Sequence, residues 1–228
     1  MAITLATVGF LALAVGLGLG LGWWRLLPTA KPGQARTIGR DRPTANPEAQ
    51  SWLDPVAQAR EAVLKAGEVG EPAVVARLAL GATLLSVGRS QEAIAEYRQV
   101  TRRDPDRAEA YLGLGRAYSR SGDLAEAAIA YRQTLALNPG SAIAHYNLAN
   151  ALAASGQTPA AIAEYRAAIA REPNFPEAQA NLAAVLLKTG DRSGAQQAAA
   201  QARSLLARRG ETQTRLEELW QRLSMSPR

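Results

Sequence analysis

Arg116 and Arg120 are the residues whose type and spacing best suit recognition chemistry in this sequence. They are four residues apart, so a helix would present both guanidinium groups on one face. Guanidinium groups donate charge-assisted hydrogen bonds to carboxylates, and these bonds are stronger than neutral ones. The pair therefore predicts contact with an acidic partner, provided that the segment is helical.

Residue sets for catalysis or metal binding are missing from the sequence. His145 is the only histidine, and no second ligand stands at metal spacing from it, so we interpret it as a packing residue. The sequence has no cysteine, phosphate-binding loop, Ser-His-Asp set or H-E-x-x-H motif. We therefore expect no enzymatic activity, no cofactor and no metal.

The elements that position the arginines repeat along the chain. The phrase AIAEYR stands at 93–98 and at 161–166, and AAIAYR stands halfway, at 127–132. Segments 74–105, 108–139 and 142–173 align without gaps at a period of 34 residues, and a weaker copy covers 176–207. Each copy consists of two helical patterns, which we call helix A and helix B. A glycine stands between them at the same place in every copy, where a positive φ would end helix A: Gly88, Gly122, Gly156 and Gly190.

Small residues recur where helices A and B of one copy must approach closely. These positions are Gly81, Gly115, Ala149 and Ala183, and the tyrosines expected to fill the gaps between copies are Tyr97, Tyr131 and Tyr165. Gly113 is expected to lie off the closely packed face. Aromatic residues make up only 5% of the chain, which favours closely packed helices over strands.

The period, together with this order of large, small, glycine, alanine, tyrosine and proline positions, resembles the tetratricopeptide repeat. The resemblance implies an all-α, right-handed superhelical solenoid of antiparallel helix pairs, with the A helices lining a concave groove. The fourth copy departs from the pattern at three places. Gln179 stands where the second and third copies have the large residues Tyr111 and His145, and Ala199 stands at the tyrosine position. Ala207 replaces the proline that ends each of the first three copies, at Pro105, Pro139 and Pro173.

The resemblance also assigns five positions of each A helix to the groove, which in this family binds a protein or peptide partner. The candidate residues form a mixed apolar and basic set that suits a peptide with acidic character: Leu78, Leu112, Arg116, Arg120, Tyr146, Asn150 and Lys188. A solvated face without a ligand is the alternative. The Lys and Asn that hold a carboxylate in chaperone-binding members are replaced by Leu78 and Ala82, which argues against a chaperone-tail adaptor.

Two further elements flank the copies. Asp54 and Pro55 are typical of a helix start. Ala59, Val63 and Ala66 follow at the spacing of a B helix, so segment 51–70 is predicted to be a degenerate half-repeat. Leu216, Leu219, Trp220 and Leu223 form an apolar stripe at helical spacing, which predicts a capping helix over 211–224.

The N-terminal segment has the composition of a membrane span. Ala2 to Trp24 contains no charged residue, and its length matches the roughly 20 residues that cross a bilayer as a helix. We predict an anchor over 2–27 and a linker over 28–50. Four glycines form G-x-x-x-G pairs, which favour homodimerisation of such a span, although glycine is also simply tolerated there: Gly16, Gly18, Gly20 and Gly22.

Charge predicts the orientation of the anchor. The net charge is +6, and five basic residues against one aspartate lie between Trp23 and Ala45. The positive-inside rule then places the repeats in the cytoplasm or stroma, on a plasma or thylakoid membrane. The basic excess is concentrated beside the span, so no nucleic-acid partner is expected.

These features together predict a membrane-anchored, non-catalytic scaffold or adaptor that binds a protein partner during assembly of a membrane protein complex. The layout of one anchor and a short repeat array also resembles photosystem I assembly factors of cyanobacteria and plastids. The alternative is an exported periplasmic protein of envelope or secretion assembly, from which the N-terminal segment has been cleaved.

Overall fold

The computed structural model describes residues 54–210 and 214–224, which form ten α-helices and no strand. The helices are α1 (Pro55–Ala66), α2 (Glu71–Ser86), α3 (Ser90–Arg103), α4 (Ala108–Ser121), α5 (Leu124–Leu137), α6 (Ala142–Ala154), α7 (Thr158–Arg171), α8 (Pro176–Lys188), α9 (Arg192–Arg209) and α10 (Thr214–Ser224). The all-α prediction is confirmed for these residues.

Several predicted elements fall outside the described residues. These are the anchor 2–27 with its glycine pairs, the linker 28–50, and short parts of the half-repeat and the capping helix at 51–53 and 211–213. Among the helices that the structure does describe, none has the length and apolar character needed to cross a bilayer.

Local capping residues explain where several helices begin and end. The carboxylate of Asp54 accepts a hydrogen bond from Val56 N at 2.9 Å, and Pro55 supplies the first helical residue of α1. Between α4 and α5, Gly122 has a φ of 91°, which is costly for a residue with a side chain. A Cβ at Gly122 would meet no atom within 4 Å, so conformation rather than space selects the glycine. Its three counterparts at Gly88, Gly156 and Gly190 also have positive φ, which confirms the predicted turns.

The helices stack in sequence as antiparallel pairs. The A helices are α2, α4, α6 and α8, the B helices are α3, α5, α7 and α9, and each helix packs against its neighbours in the chain. Successive A helices also contact each other, to a greater extent than successive B helices do. The row of A helices is therefore the closer-packed one, as expected for the inner side of a curved stack, and we call the surface that it presents the concave face.

A tyrosine ring from the B helix of the first copy fills the space between two A helices. The ring of Tyr97 is buried and lies between Gly81 of its own copy and Gly113 of the next. A Cβ added at Gly81 would lie 2.7 Å from Tyr97 Cζ, and one added at Gly113 would lie 2.4 Å from Tyr97 Cε1. The prediction that Gly113 lies off the packed face is therefore wrong, since this glycine is buried against the tyrosine of the preceding copy.

The two flanking helices close the ends of the stack. Val56 of α1 is buried, and Arg60 forms a 2.8 Å ion pair with Glu92 at the start of α3. At the other end α10 is held on α9, where the guanidinium group of Arg203 lies 4.7 Å from the ring centroid of Trp220 and pairs with Glu217 at 3.1 Å. The buried leucines of α10 cover the last helix pair.

Candidate peptide-binding groove

The concave face has an apolar part built from equivalent positions of three A helices. Leu78, Leu112 and Tyr146 are partly buried there and pack against the core. The ring of Tyr146 also lies 4.8 Å from the ring of Phe175, centroid to centroid. These three side chains offer apolar surface that the fold itself covers only in part.

Two exposed apolar residues of the A helices stand near this set but were not predicted from the sequence to belong to it. Val75 is 52% exposed and Ile143 is 44% exposed. Each stands three residues before a candidate residue, Leu78 or Tyr146, on the same A helix. Both occupy the second position of helix A, which the resemblance assigns to the groove and which holds acidic residues, Glu109 and Glu177, in the other two copies.

Arg116 lies on the concave face with its guanidinium group exposed. Burial raises the pKa of Tyr97 and of Tyr131, and the positive charge of Arg116 acts in the opposite direction on both. Arg116 is thus close to both rings, but the described residues offer its side chain no hydrogen bond or ion pair. Its charge is available to a partner.

Arg120, by contrast, is used by the fold. Its Nη1 donates a hydrogen bond to the carbonyl oxygen of Leu85, near the C-terminal end of α2 in the preceding copy. Carbonyl groups in the last turn of a helix lack an intrahelical donor, and a cationic side chain satisfies them favourably. Arg120 therefore joins two copies, although it is only one turn from Arg116.

Asn150 is also engaged within the protein. Its Oδ1 accepts hydrogen bonds from Tyr165 OH at 2.6 Å and from Asn181 Nδ2 at 2.9 Å. Asn181 Nδ2 lies 3.2 Å from Tyr146 OH as well. The network ties α6, α7 and α8 together, so the amide oxygen of Asn150, a candidate groove residue, already has two donors within the protein.

The different situations of the two arginines give a prediction about stability. Arg120→Ala should lower the free energy of unfolding by about 1 kcal/mol, because a partly buried hydrogen bond between two copies is lost, although Gly88 N still donates to the Leu85 carbonyl oxygen. Arg116→Ala should change it by less than about 0.5 kcal/mol, as is usual for exposed residues without fixed partners. Urea unfolding of fragment 48–228 measures both values, and equal losses would contradict the assigned roles.

Lys188, the last candidate, stands exposed at the C-terminal end of α8. It lines a pocket between α8 and α10, together with Arg222. Among the A helices, the unpaired cations are Arg116, just past the middle of α4, and Lys188, the last residue of α8, whereas Glu109 and Glu177 lie in the first turns of the same two helices.

His145 lies between helices A and B of the third copy. Its Nδ1 is 2.7 Å from the carboxylate of Glu164, and Arg77 pairs with Glu96 at 3.0 Å at the equivalent place in the first copy. Both glutamates belong to the repeated phrase AIAEYR. His145 therefore links the helices of its pair. Among the described residues, no group of three or more acidic or histidine side chains could hold a metal ion.

Sequence comparisons agree with this geometry. Models described as tetratricopeptide repeat match residues 78–142 and 130–163, and a model described as TPR repeat matches residues 149–190. Residues 78–190 are tetratricopeptide repeats. Such repeats generally bind protein partners, which agrees with the mixed apolar and basic character of the concave face.

Solved structures share the tetratricopeptide fold. The crystal structure of MamA is 26% identical, with a TM-score of 0.64 over 72% of this chain and 95% of that one. A thermophilic TPR protein of Thermus thermophilus is 20% identical, with a TM-score of 0.60 over 75% of this chain and 89% of that one. MamA from Desulfovibrio magneticus RS-1 is 17% identical, with a TM-score of 0.60 over 69% of this chain and 86% of that one. No curated protein matches the chain.

Proposed function

We propose that the protein is a membrane-anchored, non-catalytic tetratricopeptide scaffold whose concave face holds a segment of a protein partner. The observation that carries the proposal is the concave face itself. Arg116 and Lys188 keep unpaired cationic groups there, while Leu78, Leu112 and Tyr146 offer partly exposed apolar surface. This combination suits an apolar segment that also carries carboxylates.

The sequence of the N-terminal segment supports the membrane part of the proposal. Residues 2–24 are uncharged, Trp23 and Trp24 are suited to the headgroup level, and basic residues follow. The anchor would keep the groove beside a membrane, where the scaffold would assist assembly of a membrane protein complex. Photosystem I assembly is the narrower form of the proposal and rests on the layout of anchor and repeats. Self-association through Gly16, Gly18, Gly20 and Gly22 would make the scaffold a dimer.

We expect the anchor to stay in the mature protein, with the repeats on the cytoplasmic or stromal side. The reason is the basic flank after the uncharged span. Protease added to intact spheroplasts should leave the repeat domain whole and degrade it only after lysis. Degradation without lysis would reverse the orientation, and a mature N-terminus beyond residue 27, found by mass spectrometry, would favour the exported alternative.

Site-specific photocrosslinking in native membranes tests the groove. A photoreactive amino acid replaces Tyr146 on the concave face or, as a matched control, Ala163, which is exposed on helix α7. We expect a discrete protein adduct from position 146 and little or none from position 163. An adduct from position 163 alone would show that the partner uses the outer surface.

A further inference from the structure

A pocket lies at the C-terminal end of the groove, between the last A helix and the capping helix. It has a volume of about 400 Å³. Ala180, Ala184 and Lys188 of α8 form one side, and Leu216, Leu219 and Arg222 of α10 form the other. We call this space the end pocket. Because α10 is not a copy of the repeat, neither the 34-residue period nor the repeat pattern accounts for it.

Two small residues in the fourth repeat create the space. Ala180 stands where the three earlier repeats have larger side chains, namely Leu78, Leu112 and Tyr146. Ala184 stands one turn further on, where the two preceding repeats have Arg116 and Asn150. The fourth repeat is the only one in which both positions are alanine, so side chains fill less of the groove there than in the earlier repeats.

Contacts with α9 hold α10 in its place beside the pocket. Arg192 Nη2 and Gln196 Nε2, both on α9, donate hydrogen bonds to the carbonyl oxygen of Leu223, at 2.9 Å and 3.1 Å. Arg203 of α9 holds Glu217 and Trp220 in the preceding turns. These contacts fix α10 on α9, and Leu219 remains partly exposed toward the pocket.

The rim of the pocket is cationic. Lys188 and Arg222 are both exposed, and neither side chain has a hydrogen bond or ion pair among the described residues. Glu218 is the one carboxylate on the rim, so the local charge is positive by one. A large apolar side chain that enters the pocket would remove Ala180, Ala184 and Leu219 from water, which is favourable in proportion to the apolar area buried.

We infer that the end pocket receives a large apolar side chain of the partner segment, and that Lys188 and Arg222 hold a carboxylate next to it. The inference rests on the proposed function and specifies the partner's chemistry: an anchor of leucine or phenylalanine size, followed by a negative charge. That charge is the carboxylate of an acidic side chain within the segment, which the two cations would hold by charge-assisted hydrogen bonds.

Peptides with a photoreactive leucine test the inference on the full chain in phosphatidylcholine nanodiscs, whose lipids carry no net charge. One peptide, acetylated and amidated, places aspartate after the photoreactive leucine. A second replaces that aspartate by asparagine, and a third ends in a free carboxylate directly after the leucine. We expect adducts, mapped by mass spectrometry, on 180–188 and 216–222, with several-fold lower yield for asparagine. A higher yield with the third peptide than with the aspartate peptide would contradict an acidic side chain as the source of the carboxylate and indicate a chain terminus instead.

Filling the pocket should abolish this labelling. Ala184→Leu places a leucine side chain in the space, and we expect about a tenfold or greater loss of adduct, the ratio that corresponds to the burial of one such side chain. Ala180→Leu repeats the test with the residue that the first two repeats have at that place. Ala163→Leu, on the convex side, should leave the yield unchanged. Thermal melts verify that each variant is folded.

The inference fails if adducts map elsewhere, or if folded Ala184→Leu and Ala180→Leu are labelled as strongly as the unsubstituted chain. It also fails in its electrostatic part if Lys188→Gln with Arg222→Gln leaves the preference for aspartate over asparagine intact. Partner adducts from position 146 in native membranes would still support the groove in that case. If position 146 gives no partner adduct in native membranes while the peptides label the end pocket normally, the proposed function is wrong.

Discussion

Replacing Gly113 by leucine should lower the melting temperature as much as replacing Gly115 by leucine. The ring of Tyr97 lies between Gly81 and Gly113 and is only 4% exposed, so it has no free direction in which to move. At Gly115 an added Cβ would lie 2.5 Å from Cε1 of Tyr131, another buried ring. Real Cβ atoms do not approach other atoms so closely, and the helices must separate.

The expected loss for each leucine is about 3 kcal/mol, the upper part of the range for overpacked cores, which corresponds to about 6–12 °C in a domain of this size. The loss would appear even though leucine has a higher helix propensity than glycine. Thermal melts of fragment 48–228 measure it. Glu109→Leu, at an exposed position of the same helix, is the control and should change the melting temperature little.

A double-mutant cycle isolates the cause. Tyr97→Ala removes the ring, so Gly113→Ala in that background should cost far less than Gly113→Ala alone, and the coupling between the two sites should be clear. The same background should leave the cost of Gly115→Leu unchanged, because Gly115 faces Tyr131. Additive effects of Tyr97→Ala and Gly113→Ala would show that the ring does not occupy the space between the two A helices.

The sequence contained enough to predict the helix pairs but not every contact between them. The turn at Gly122 follows from local conformation, which the 34-residue alignment reveals directly. Gly113 is different, because its neighbour Tyr97 belongs to the preceding repeat. The contact of Gly113 depends on the rotation between successive repeats, and the residue pattern within one repeat does not determine that rotation.

The groove residues show the same limit for polar groups. Equivalent positions of the repeat predict which side chains lie on the concave face, yet they do not reveal which polar atoms the fold itself uses. The carbonyl oxygen of Leu85 accepts a hydrogen bond from the guanidinium group of Arg120, and the amide oxygen of Asn150 accepts hydrogen bonds from two side chains. The end pocket was likewise out of reach, because it depends on where the non-repeat helix α10 rests on α9.

Reversing the two free cations of the groove should have the largest effect on partner binding. Arg116→Glu combined with Lys188→Glu replaces two unpaired positive charges on the concave face by negative ones. A partner carboxylate would then lose charge-assisted hydrogen bonds and meet like charges, which costs several kcal/mol at an interface. We expect the yield of the adduct from position 146 to fall at least about tenfold, since about 1.4 kcal/mol already corresponds to that ratio.

The design depends on leaving the fold intact. Arg120 stays unchanged because its guanidinium group satisfies Leu85, and its loss would mix a stability effect with a binding effect. The matched control reverses Arg132 and Arg166, which are also exposed and lie on the B helices α5 and α7. Arg98 is unsuitable, since its Nη2 donates to Tyr118 OH.

Both double variants should melt within a few degrees of the unsubstituted fragment, because exposed charges without fixed partners contribute little to folding. If the Arg132 and Arg166 reversal abolishes the adduct while the Arg116 and Lys188 reversal leaves it unchanged, the partner binds the convex surface. In that event the acidic character assigned to its segment is also wrong, because the concave cations would then contribute nothing to its capture.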